Sequence, residues 1–206
     1  LAKTSQRQRI FVTSGGFEGD IDRPTTRLAL RLDSLKSSTI AFGHNRYPED
    51  SHGLTPAPSL ADGIRFMFEP IAVTKLPLAT LGPSTDSTIL VRAINESIRQ
   101  YAAGARSLGM DERLPEMQLN EAGYAALQFL KKPALAVWVF RKNVELYPES
   151  ANVYDSLGDA LVAAGDTTAA MAQYRRAVAV GTPKGDPVVP ESARKLKELE
   201  GKTKPN

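Results

Sequence analysis

Cysteine is absent from this 206-residue chain, so disulfides, thiolate nucleophiles and cysteine-held zinc are excluded. Histidine is scarce: there are two, His44 and His52, and neither falls in the i, i+4 or C-x-x-C spacing of a metal site, so no metal or cofactor is expected. No apolar run approaches the ~20 residues that a membrane-spanning helix needs. The N-terminal LAKTSQRQR lacks the apolar stretch of a signal peptide. An excess of one charge is missing too, since the net charge is +3 without a Lys/Arg block outside the last residues. Nucleic-acid binding through a basic stripe is therefore not expected. The hydrophobic content of 42% is enough for a packed core, and the length fits one large domain or two small ones. Without cysteine the chain suits a reducing or an oxidising compartment alike. Localisation stays open, with the periplasm and the extracellular space included. The chain opens at Leu1 in a polar stretch and enters a strand within ten residues, which predicts a piece of a longer protein.

What is present falls into two halves. The second half carries an echo: Ala136, Phe140, Leu146 and Pro148 are followed, 34 residues on, by Ala170, Tyr174, Val180 and Thr182. Small and aromatic residues at that period mark a helix–turn–helix repeat, in which a small residue lets two helices approach and an aromatic fills the gap. In the first repeat Asn120, Gly123, Tyr124 and Leu127 form helix A, and Ala136 with Phe140 forms helix B. Their loop, LKKP, reads as about one residue short of the usual pattern. In the second, Tyr154, Leu157, Gly158 and Leu161 form helix A, Gly165-Asp166 the turn, and Ala170, Tyr174 and Ala177 helix B.

On these residues, positions 117–184 resemble two tetratricopeptide (TPR) repeats. Asn120 departs from the aromatic expected there, and Thr182 replaces the closing proline, although Pro183 follows. Two repeats are fewer than the three or so that stand alone, so a helix over 87–107 and a C-terminal helix over 190–200 are expected as end caps. The resemblance implies a peptide or protein partner, or self-association.

The first half reads as α/β. Residues 9–14 (RIFVTS) form a strand ended by Gly15-Gly16, and 25–37 a helix with Thr25 as N-cap and Leu28, Leu32 and Leu35 on one face. A second strand over 39–43 leads into the loop HNRYPEDSHG. A helix over 58–68 follows, burying Leu60, Ile64 and Met67 or Phe68. Strand, helix, strand, loop, helix is one part of a parallel α/β layer. Two strands do not make a stable sheet, so further strands are expected from elsewhere. Residues 71–116 combine a proline-rich connector with the long helix, which Asp86 or Ser87 opens and Gly109 closes. The expected organisation is thus 1–70 α/β, 71–116 connector and helix, 117–184 repeats, and 185–206 capping helix and tail. The fold class is α/β plus all-α.

Chemistry is expected in the first half. The loop Tyr47–Gly53 carries His52 past the second strand, and Glu18, Asp20 and Asp22 follow the first. Both lie at carboxyl ends of strands, where α/β folds place their sites. An acid after one strand and a histidine after the next is the chain order of an α/β-hydrolase triad whose nucleophile lies upstream. There the acid holds the imidazole tautomer while the histidine takes and returns the serine proton. The same residues suit plainer roles, His52 capping the next helix and Glu18 or Asp20 shaping the turn at Gly19. His44 reads as structural, and Arg92, Arg99 and Arg106 as a solvated helix face.

RIFVTSGGFEG and YPEDSHGLTPAPSLADGIRFMF resemble the C-terminal part of the putative esterase family of α/β hydrolases, which includes the enterochelin-esterase-like enzymes. Some of its members carry C-terminal TPR repeats behind a similar helix. The resemblance implies His52 as catalytic base and Glu18 as the orienting acid, with Asp20 second and Asp22 third. It also implies a carboxylic-ester substrate, siderophore-like lactones included. No G-x-S-x-G elbow occurs: Ser14 follows Val12 by two residues, Ser51 follows Glu49, and GPSTD lacks the second glycine. Nucleophile and oxyanion hole are therefore assigned to a missing N-terminal hydrolase portion, and this chain alone is expected to be inactive. The alternative is a non-enzymatic TPR interaction module.

Overall fold

The structure is a computed structural model and describes residues 8–17, 20–35, 37–51, 53–72, 84 and 86–203. The chain divides into two compact units, Leu1–Val73 with Arg99–Glu112, and Thr74–Ile98 with Arg113–Asn206.

In the first unit, β-branched and aromatic residues build β1 (Gln8–Gly15) and β2 (Ile40–Tyr47). They pair in parallel from Gln8↔Ile40 to Gly15↔Tyr47. Side chains alternate across the pleat. Phe11 and Thr13 face α2 (Pro56–Phe68): Phe11 stacks on Phe66 at 5.4 Å between ring centroids, and Ser59 Oγ lies 2.8 Å from Thr13 Oγ1. Ser14 points to the other face and meets α1 (Asp22–Ser34). The sheet is therefore covered by one helix on each side.

The details depart from the sequence expectations. Helix α1 starts at Asp22 rather than Thr25, because Pro24 sits in the first turn, where its missing N–H costs nothing. Its buried residues are Asp22 and Ala29, while Leu28 and Leu35 of the expected stripe are exposed. A polar contact sets this rotation: Arg46 draws Asp22 onto the sheet. Strand β2 runs four residues past the expected end, since His44, Asn45, Arg46 and Tyr47 all stay in register with β1. Helix α2 buries none of its residues, and Leu60, Ile64, Met67 and Phe68 are all exposed. Only its Ser59, Gly63 and Phe66 side reaches β1, and the sheet seen here is too narrow to cover the rest. Most of the expected connector, residues 73–83, lies outside the described residues.

Helix α3 (Ser87–Leu108) opens where Asp86 Oδ1 accepts the Thr88 N–H at 2.8 Å and closes at Gly109, whose φ of +67° suits glycine. Its buried row is Leu90, Ile94, Ser97, Tyr101 and Ala105, a 3.6-residue stripe, with Ile89 outside it.

The second unit stacks α4 (Glu116–Gln128), α5 (Pro133–Leu146), α6 (Ala151–Ala163), α7 (Thr167–Gly181) and α8 (Val189–Thr203), each on the next. The 34-residue echo has a physical basis. A Cβ on Gly123 would lie 2.4 Å from the Phe140 ring, and a Cβ on Gly158 would lie 2.4 Å from the Tyr174 ring. Each hairpin thus closes by seating an aromatic of its second helix on a glycine of its first. The α4–α5 connection (129–132) is one residue longer than the α6–α7 one (164–166), and within it Lys131 takes φ +54°. The C-terminal helix is less solvated than its charges suggest, for Ser192 is fully buried.

Candidate functional site

Parallel pairing brings the ends of β1 and β2 to one edge, so the loops that follow them emerge side by side. Gly16 N–H donates to the Tyr47 carbonyl at 2.7 Å, and Phe17 N–H donates to the Asp50 carbonyl at 3.2 Å. The approach is close: a Cβ on Gly16 would lie 1.9 Å from the Pro48 carbonyl oxygen. This explains Gly16 as a packing glycine. The second loop then turns into α2, where the Ser51 carbonyl accepts from Thr55 N–H at 3.0 Å and Thr55 Oγ1 at 2.9 Å.

Glu18 and His52 lie outside the described residues. Asp20 is exposed in the turn before α1. Asp22 is already engaged. Its carboxylate accepts from Arg46 Nε and Nη2 at 2.8–3.1 Å and from Ser14 Oγ at 2.9 Å. The Arg46 guanidinium and the Ser14 hydroxyl hold the Asp22 carboxyl below its ordinary range against the opposing effect of burial. This triplet fastens α1 to both strands. His44 sits in β2 opposite Val12, its Nε2 buried without a partner among the described residues.

A second carboxylate, Asp62 of α2, ties that helix to the other face. Tyr47 OH and Asn45 Nδ2 each donate to it at 2.7 Å, and Arg65 Nη1 donates at 2.9 Å. Tyr47 lowers the Asp62 carboxyl most, followed by Asn45. Burial, then Asp62, raises the Tyr47 phenol. Sequence reasoning passed over this cluster because the packing of α2 on β2 joins it: the i, i+3 spacing of Asp62 and Arg65 is local, but nothing in the chain order links them to Asn45 and Tyr47. Beside β1, Phe11, Leu60, Ile64, Met67 and Phe68 line an open apolar groove of about 470 Å³.

The helical unit holds a polar cluster of its own. Asp159 accepts from Tyr124 OH at 2.9 Å, Tyr174 OH at 2.8 Å and Lys195 Nζ at 2.7 Å. Asp155 accepts from Ser192 Oγ at 2.7 Å and Lys195 Nζ at 2.8 Å. Asn120, the departure from the repeat pattern, accepts from Ser156 Oγ at 2.8 Å. Burial pushes the Tyr124 phenol up to about 12, and burial and Asp159 raise Tyr174. Burial alone would lower Lys195, but Asp155 and Asp159 outweigh it and raise the ammonium. Every group in the cluster has a partner, so it joins α4, α6, α7 and α8 rather than offering free chemistry. The clues in the sequence were helical spacings, i, i+4 for Asn120 with Tyr124 and for Asp155 with Asp159, which put each pair on one face but did not join the helices.

Among the described residues, no three His, Asp or Glu side chains gather as a metal centre, and no helix is long and apolar enough to cross a membrane. No protein-family model matches this chain, and no curated protein matches it.

Proposed function

We propose that this chain is the histidine-bearing C-terminal part of a serine esterase-like α/β hydrolase, joined to a TPR-like helical array. The observation that carries the reading is the contact between the two loops. The acid-bearing loop after β1 and the histidine-bearing loop after β2 are hydrogen-bonded through Phe17 and Asp50, one residue from Glu18 and two from His52. Such a pairing suits an acid that orients an imidazole beside a serine held by further strands. His52 would act as general base in cleaving a carboxylic ester through an acyl-serine, and Glu18 or Asp20 would hold its tautomer. Asp22 is the poorest of the three acids for that task, because Arg46 and Ser14 already occupy its carboxylate.

The test is labelling of the complete protein with a fluorophosphonate probe, followed by intact mass and ester turnover. The label is expected on a serine outside these residues, and His52→Ala is expected to cut turnover by about 10³-fold or more. Unchanged turnover in His52→Ala would refute the assignment.

A second reading, a non-enzymatic partner-binding module, draws on the repeated glycine–aromatic seats of the helical unit, since stacked hairpins of this kind present extended binding surfaces. Under it the probe labels nothing.

A further inference from the structure

Helix α1 presents Arg23, Thr26 and Arg27 on one face, at i, i+3 and i+4, beside the end of β2 where Arg46 lies. With Asp22 they line a cleft of about 540 Å³. Three guanidinium groups meet one carboxylate there, and that carboxylate is taken. Asp22 binds Arg46 through Nε and Nη2, which fixes the plane of this guanidinium and leaves Nη1 outside the pair. Arg23 and Arg27 are exposed and have no ion-pair partner among the described residues. Arg65, Arg106, Arg175 and Arg194, by contrast, each sit beside an acid. Two like charges at i, i+4 repel, and among the described residues no ion pair relieves them. A bound oxyanion would. Guanidinium forks match the oxygens of a phosphate group, and the Thr26 hydroxyl supplies a further donor.

We propose that the cleft between α1 and the end of β2 binds the phosphate group of a phosphomonoester through Arg23, Arg27 and the outward edge of Arg46. The site does not depend on ester hydrolysis. Its phosphate has two conceivable sources, a soluble phosphomonoester or a lipid headgroup, and both expose the same dianionic group.

The experiment is calorimetric titration of the 206-residue chain with phenyl phosphate, with sodium chloride at matched ionic strength as reference. It is repeated on Arg23→Gln/Arg27→Gln, and on Arg27→Gln alone, with thermal unfolding as a check on folding. Both arginines are exposed, and Arg46 is left in place because it holds Asp22. Saturable binding that weakens about tenfold or more in the double variant, at an unchanged melting temperature, is the expected result. A parallel arm uses phosphatidylcholine vesicles doped with phosphatidic acid. Binding to these vesicles but not to phenyl phosphate, lost in the double variant, would assign the phosphate to a lipid headgroup. Equal heats from chloride, equal binding by the variant, or no saturable binding in either arm would overturn the proposal.

Discussion

Gly16 and Pro48 approach so closely that a Cβ on the glycine would lie 1.9 Å from the proline carbonyl oxygen. The loops after β1 and β2 are held together there by two backbone hydrogen bonds. Gly16→Ala must push backbone against backbone, which has no flexible side chain to yield. It is expected to destabilise the first unit by about 1–3 kcal/mol and to speed hydrogen exchange at the Phe17 amide, measured by urea unfolding and exchange mass spectrometry.

Two further glycines are also packed closely, here against aromatic side chains. Gly123→Ala and Gly158→Ala should each lower the stability of the helical unit by about 1–3 kcal/mol, because Phe140 and Tyr174 must leave their seats. Gly201→Ala is the contrast, since no atom lies within 4 Å of its added Cβ. Lying in the last turn of α8, it should leave stability unchanged or raise it by no more than about 0.5 kcal/mol through helix propensity. Denaturant midpoints of the three variants decide the matter.

Alkaline pH should loosen the helical unit. Tyr124 is pushed up to about 12, Tyr174 is raised as well, and Lys195 is raised above its ordinary value of 10.5. In each case the folded state favours the protonated form, so the stabilisation is complete below the unfolded pKa and fades as pH climbs through the folded one. Unfolding free energy is expected to fall steadily from about pH 10 upward, and Tyr124→Phe should flatten that slope.

Lys195→Met leaves Asp155 and Asp159 without their shared cation. Removing one partner of a largely buried pair should cost about 3 kcal/mol at neutral pH. Urea unfolding measures it, and an unchanged midpoint would mean that the other hydrogen bonds suffice.

At the acid end the sign reverses. Asp22 and Asp62 are both held below 3.8, so the stability they supply is present above that value and disappears as pH falls below it. Asp22→Asn should make the first unit less dependent on pH in this range, followed by circular dichroism on acid titration.

The element order, the parallel character expected of the two strands and the repeat in the helical half were legible in the chain, and each rests on local information. A β-branched and aromatic run ended by Gly15-Gly16 marks β1, period 3.6 marks α3, and glycine and aromatic spacing marks the hairpins. What periodicity could not reveal was which side of α1 turns inward. Leu28 and Leu35 make the more apolar face, yet Asp22 and Ala29 are the buried residues. A bidentate contact with Arg46, 24 residues away, outweighs the leucines because the two strands are too narrow to cover them.

The sequence by itself determined which segments become helix or strand, since those preferences act within a few residues, but not every boundary, for pairing with β1 carries β2 four residues past its expected end. Tertiary structure decided the main partners of Asp22, Asp62 and Lys195, which come from separate elements packed together, while Arg65 alone reaches Asp62 from within its own helix. Hydrogen bonds and ion pairs act over a few ångströms and need defined angles, so only the folded geometry could select among the many acids and bases the chain carries.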